Sequence, residues 1–221
     1  MDNLINSSRK KNLLNKWWLT LILCFAVAGA DAEEAETILV LGDSISSAYG
    51  LATEDGWVML LQDKLEDEDI ELKVVNASIT GDTSGNGLSR LPALLEEHNP
   101  RVLIIELGGN DGLRGLSVKK LKSNLIEMAN MANTIGAMPV IVAVQLPGNY
   151  GKAYNKLFAN AFTSAAVETD AALVPSLFDG MDATSKWFQS DGIHPSVKAQ
   201  PVMLENVWDV VKPALDEILT Q

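Results

Sequence analysis

Cysteine is almost absent. Cys24 is the only one in 221 residues, so the chain can form neither an internal disulfide nor a cysteine-rich zinc site. Histidine is nearly as scarce, with His98 and His194 alone available to any chemistry that needs an imidazole. Basic residues are outnumbered, 17 against 29 acidic ones, for a net charge of −12. Such a chain repels phosphate backbones and anionic lipid heads, which argues against nucleic acid as a partner. No apolar run reaches the roughly 20 residues that span a bilayer. No internal repeat or low-complexity linker divides the chain. What remains, 47% hydrophobic and 21% charged, is ordinary globular composition, and the length suits one domain.

The N-terminus is set apart. Arg9, Lys10, Lys11 and Lys16 precede an apolar run over 17–29, followed by the small-residue exits Ala28-Gly29-Ala30 and Ala30-Asp31-Ala32. A basic segment, a short apolar stretch and an Ala-x-Ala exit describe a secretory signal peptide. The expectation is a leader over 1–32, removed after Ala30 or Ala32. An uncleaved anchor is disfavoured by the shortness of the run, and lipid attachment at Cys24 by the bulky Leu23 before it. The mature chain, about −14 in charge and free of cysteine, suits a periplasmic or extracellular compartment. It is expected to carry no stable membrane insertion and to act as a monomer.

From residue 33 onward, short apolar runs alternate with helical patterns. The runs at 37–41, 72–76, 102–107, 139–144 and 171–174 read as strands buried on both faces. Between them, Asp55 is placed to cap a helix carrying Val58, Leu61 and Leu65. Ser117 is placed to cap another, with Leu121, Leu125 and Met128 at helical spacing. Helical patterns at 154–167 and 201–219 complete the chain. This alternation predicts one α/β domain over 33–221, a three-layer α/β/α sandwich around a mainly parallel five-stranded sheet. Ligands of such sheets bind beyond the carboxyl ends of the strands, so the residues that follow each strand carry the functional interest.

Ser44 follows a buried strand and Gly42, at the open edge of the sheet. A serine in Gly-Asp-Ser is more often a helix cap, and needs a base to act as a nucleophile. In Asp191-Gly192-Ile193-His194-Pro195, proline forces His194 into extended backbone and Gly192 allows the carboxylate to fold back on the imidazole. That is either the orienting pair of a serine hydrolase or a local contact in a surface turn. His98, at a helix C-terminus, reads as a solvated partner of the helix dipole. Gly81 and Asn110 could donate to a developing oxyanion or simply make turns. Asp43 and Asp111 read as loop-holding carboxylates, and Trp57, Trp187 and Phe188 as core.

Taken in order, Leu41-Gly42-Asp43-Ser44, Ile79-Thr80-Gly81-Asp82-Thr83-Ser84, the block from Leu107 through Gly108-Gly109-Asn110-Asp111 to Leu116, and Asp191-Gly192-Ile193-His194-Pro195 resemble the SGNH hydrolases, also called GDSL esterases. The likeness runs through most of the mature chain and is greatest to secreted bacterial thioesterases, lysophospholipases and arylesterases. It implies a flavodoxin-like fold, Ser44 as nucleophile, His194 as base oriented by Asp191, and an oxyanion hole made by the backbone N–H groups of Ser44 and Gly81 and the Asn110 amide. It implies no metal and no cofactor. The substrate expected is a small-molecule or lipid acyl ester or thioester, with Leu113, Leu116, Pro147 and Tyr150 as candidate acyl-pocket residues. A carbohydrate O-deacetylase of the same fold and a non-catalytic periplasmic binding module are the alternatives. The sequence departs from the family at Ile45-Ser46-Ser47-Ala48, where Leu-Ser/Thr-Ala-Gly is more usual, and in having Gly148 beside a single Pro147.

Overall fold

A computed structural model describes residues 36–182 and 185–220. The expected leader lies outside them. Apolar side chains on successive residues of a strand point to opposite faces, and the runs use both. Ile38 and Val40 of β1 (Thr37–Gly42) enter one core with Trp57, Leu61, Met203 and Val207. Leu39 and Leu41 enter a second core with Leu91, Leu125, Phe158 and Phe162. Val102 and Ile104 of β3 (Val102–Glu106) divide from Leu103 and Ile105 in the same way. The sheet therefore separates two cores and needs helices on both sides.

Helices α1 (Trp57–Asp67) and α6 (Gln200–Leu219) cover the first core. Helices α2 (Ser84–His98), α4 (Val118–Thr134) and α5 (Lys152–Thr169) cover the second. Strands β2 (Lys73–Asn76), β4 (Met138–Val142) and β5 (Ala172–Val174) complete the sheet. The order is β2-β1-β3-β4-β5 and every pairing is parallel. The strand order reverses direction between β1 and β3, the crevice where doubly wound sheets bind ligands. Their register places Gly42 opposite Glu106, so both strands end at the same level.

The three-layer α/β expectation is met, with strand ends shifted by one or two residues. Ser117 caps α4 as read, accepting from the Lys120 N–H at 3.3 Å. Asp55 does not cap α1; it ends a 3-10 turn over Thr53–Asp55, and Gly56 precedes the helix. The Trp57 N–H instead donates to Gln200 Oε1 at 3.0 Å, from a residue 143 positions away and 1% exposed. A tertiary contact thus does what local capping was expected to do. A further short helix, α3 (Gly109–Leu113), begins just after β3.

Gln200→Leu keeps the volume but leaves the buried Trp57 N–H without its acceptor. It is expected to lower the unfolding free energy by about 1–3 kcal/mol, read as a lower urea midpoint at unchanged slope. An unchanged midpoint would show that another acceptor serves Trp57.

Candidate active site

The turn after β1 carries Ser44. Gly42 is required there, because a Cβ would sit 2.6 Å from Ser46 Cβ and 2.8 Å from Ser78 Oγ. The amides around Ser44 are taken up one by one. Ile45 N–H donates to Asp43 Oδ1 at 3.0 Å, and Ser47 N–H to the Asp43 carbonyl at 3.0 Å. The N–H groups of Asp43 and Ser46 donate to the Glu106 carboxyl, which also accepts from Ser46 Oγ at 2.7 Å. Among the described residues the Ser44 N–H has no partner.

His194 reaches this turn from the far end of the chain, its Nε2 lying 3.0 Å from Ser44 Oγ across 150 positions. Its Nδ1 lies 2.7 Å from Asp191 Oδ2. An ionised carboxylate only accepts, so Nδ1 carries the proton and Nε2 is left to accept from the Ser44 hydroxyl. Asp191 Oδ1 accepts from the N–H groups of Ile193 at 2.9 Å and His194 at 3.0 Å. The bond from His194, with these two amides, holds Asp191 down at about 2. The carboxylate thus stays charged throughout the range in which an imidazole titrates. Tyr49 lies against the imidazole, ring centroids 4.5 Å apart.

The turn after β2 contributes Gly81, with φ +85°, whose N–H is also unpartnered among the described residues. Asn110, in the first turn of α3, donates from Nδ2 to Asp43 Oδ2 at 3.0 Å and to the Asp82 carbonyl at 2.9 Å. Both amide hydrogens are engaged in the free protein, so donation to an oxyanion requires one to be shared or redirected. His98 is remote. It ends a helix of 15 residues that starts at this site, about 20 Å away at the helical rise, and its imidazole lies 3.9 Å from Glu97.

A serine–histidine–aspartate chain beside two free amides has the geometry that acyl transfer requires. The model of the GDSL-like Lipase/Acylhydrolase family matches residues 40–200. The chain belongs to that family. The esterase TesA of Pseudomonas aeruginosa is 51% identical over 82% of this chain and 90% of its own length. The thioesterase 1/protease 1/lysophospholipase L1 of Escherichia coli K12 is 39% identical over 89% and 90%. The psychrotrophic esterase EstA of Pseudoalteromonas sp., solved with monoethylphosphonate as inhibitor, is 43% identical with a TM-score of 0.77, covering 82% of this chain and 99% of its own. Family and relatives make this chain an ester hydrolase.

The departure from the family's usual Ala-Gly at 47–48 has a structural counterpart. Ala48 adopts φ +56°, the left-handed conformation that a glycine takes without cost. The four pocket candidates lie exposed on two facing segments. Tyr150 O–H donates to the Leu113 carbonyl at 3.2 Å, and Leu116 and Pro147 belong to the same segments. Two surface hollows of about 460 and 520 Å³ contain none of the site residues, so the chemistry marks the site and its volume does not. Trp187 packs on the first core and Phe188 against Phe178, as core residues should.

Asp111, expected to bond locally, instead accepts from Ser84 N–H at 2.7 Å and Ser84 Oγ at 2.6 Å across 27 positions. Three supports were not foreseen in the sequence. Arg90 clamps the turn after β2, donating to Asp82 at 2.9 Å and to the Ala77 carbonyl. Gln189 joins the His194 loop to the Ser44 turn. Glu106 was legible in principle, as an acid closing an otherwise apolar strand. Among the described residues no group of His, Cys, Asp and Glu is arranged to hold a metal.

Burial pushes Asp43 up to about 6, against the Ile45 and Asn110 bonds that lower it. Burial raises Glu106 as well, with the Asp43 charge adding to it. An acid raised in the folded state is favoured protonated, so its ionisation costs stability above the raised value, and that cost fades as the pH falls toward 3.8. Asp191 has the opposite sign, but its contribution is lost only as the pH falls from 3.8 to about 2. The urea midpoint is therefore expected to rise between about pH 7.5 and about pH 5, and to rise less in Asp43→Asn. An identical rise in the variant would exclude Asp43 as the source.

Proposed function

We propose that the chain is an exported serine esterase that hydrolyses acyl esters and thioesters through an acyl-enzyme on Ser44. The observation that carries this reading is the Ser44 Oγ–His194 Nε2 contact of 3.0 Å, extended by the 2.7 Å contact to Asp191. Ser44 Oγ attacks the acyl carbonyl while its proton passes to His194 Nε2. The imidazolium is stabilised by Asp191 and returns the proton to the departing alkoxide or thiolate. The same imidazole then activates water, which releases the acid and restores Ser44. The negative oxygen of each tetrahedral intermediate is received by the Ser44 and Gly81 amides, which are free for it, and by Asn110. Relatives named as esterase and as thioesterase/lysophospholipase support the substrate class. The basic leader with its apolar run supports export. Leu113, Leu116, Pro147 and Tyr150 are proposed to border the acyl group. Chain-length preference is read from a p-nitrophenyl ester series with an acyl-CoA and an acetylated sugar alongside.

Ser44→Ala is expected to abolish turnover and labelling by an alkyl phosphonate, with folding intact by circular dichroism. Labelling retained at another serine would overturn the assignment. His194→Ala is expected to lower kcat by several powers of ten and His98→Ala to leave it near wild type, since only His194 touches Ser44; the reverse ranking would refute the base.

Asn110→Ala is expected to lower kcat on the order of 10²–10³-fold with a smaller change in KM, because the interaction forms with the transition-state charge. A rise in KM at constant kcat would make Asn110 a ground-state binding residue instead.

A further inference from the structure

We propose that Gln189 is a positioning residue, a strap that holds the His194 loop at reacting distance from the Ser44 turn. This rests on the assignment of Ser44 and His194 as nucleophile and base. The two residues come from opposite ends of the chain, and the sheet orders only one of them. Ser44 follows β1 directly, whereas His194 sits in a loop between β5 and α6. Besides the Ser44–His194 contact itself, one hydrogen bond joins residues 186–196 to residues 43–50 among the described residues. It runs from Gln189 Nε2 to the Tyr49 carbonyl, at 2.7 Å.

The same nitrogen donates to the Pro195 carbonyl at 3.0 Å, directly after His194. The backbone of Gln189 closes the loop from within: its N–H donates to the His194 carbonyl at 2.8 Å, and its carbonyl accepts from Gly192 N–H at 3.0 Å. One residue therefore ties the end of the Ser44 turn to the peptides before and after His194. Gly50 makes room for it. A Cβ there would strike Gln189 Oε1, and φ +78° disfavours any side chain. A neutral amide suits this place, because two carbonyl oxygens must both be met by donors.

The test measures kcat, KM and the rate of Ser44 phosphonylation in Gln189→Ala, Gln189→Glu and Gly50→Ala. Loss of the strap lets the imidazole drift, and a displacement near 1 Å costs on the order of 10²-fold in rate. Gln189→Ala is expected to show that loss in kcat and in phosphonylation, with KM and the thermal midpoint near wild type. Gly50→Ala should reproduce it by displacing the same side chain, and adding Gln189→Ala to Gly50→Ala should cost little more, because the strap is already displaced. In Gln189→Glu a protonated acid can still donate, whereas a carboxylate faces two carbonyls. Its activity relative to wild type is expected to fall as the pH rises from about 5 to 8. The charged and titratable groups that face this place are Asp43 and Tyr49 on one segment and Lys186, Asp191 and His194 on the other, and the wild-type and Gln189→Ala profiles are recorded alongside as references for them. Wild-type kcat in Gln189→Ala, a pH-independent ratio in Gln189→Glu, or losses that follow the folded fraction would overturn the strap. Wild-type labelling at a residue other than Ser44 would overturn the site itself, and the strap with it.

Discussion

The pairing of β1 with β3 is the constraint on which the site depends. It sets Gly42 opposite Glu106, so the two strands end side by side at the point where the sheet order reverses. The Glu106 carboxyl then accepts from the N–H groups of Asp43 and Ser46 and from the Ser46 hydroxyl. Burying a carboxyl is unfavourable unless donors compensate, and the turn supplies three. The Ser44 turn is thereby fastened to a strand other than its own. Among the described residues the Ser44 N–H is left without a partner beside its own hydroxyl, so a donor and the hydroxyl are presented by the same turn.

Three carboxyl groups serve the site in three environments. Asp191 is exposed and held at about 2 by its bonds, so it remains a fixed negative charge against His194. Asp43 is buried and pushed up to about 6, and its work is to hold Ile45 and Asn110. Glu106 is fully enclosed and reaches no substrate. The ordering follows from which cause dominates: hydrogen bonds lower the exposed Asp191, whereas burial raises Asp43 and Glu106 against theirs.

The two halves of the chemistry are held differently. Ser44, Gly81 and Asn110 follow three adjacent parallel strands, whose side chains fill both cores. Asp191 and His194 stand on a loop closed by its own backbone bonds and by a bridge between Phe188 and Pro195. Rigid elements position groups more precisely than loops do. The loop must therefore borrow precision through side-chain contacts with the Ser44 turn, and those contacts are few.

Much of this was legible in the chain. Continuous apolar runs alternating with helical patterns forced a parallel sheet covered on both sides, because such runs must be buried on both faces. Four ordered blocks named the hydrolase family, and proline after His194 marked its loop. Taken singly, Gly-Asp-Ser reads more readily as a cap, and Asp-x-x-His equally well as a surface turn. What brings the two together is a contact spanning 150 positions, which no local pattern encodes. Capping of α1 by Gln200, the hold of Arg90 on the turn after β2, and the bonds of Gln189 were equally hidden. Glutamine and arginine at those positions look like any solvated polar residue until folding brings the Trp57 N–H, the Asp82 carboxylate and the Tyr49 carbonyl to them. The sequence by itself determined the layers, the places of the strands to within one or two residues and the residue types available for chemistry, since these follow from burial and local backbone preference. Only the tertiary structure decided which polar groups meet and which amides stay free, because hydrogen-bond partners distant in sequence are chosen by how the elements pack.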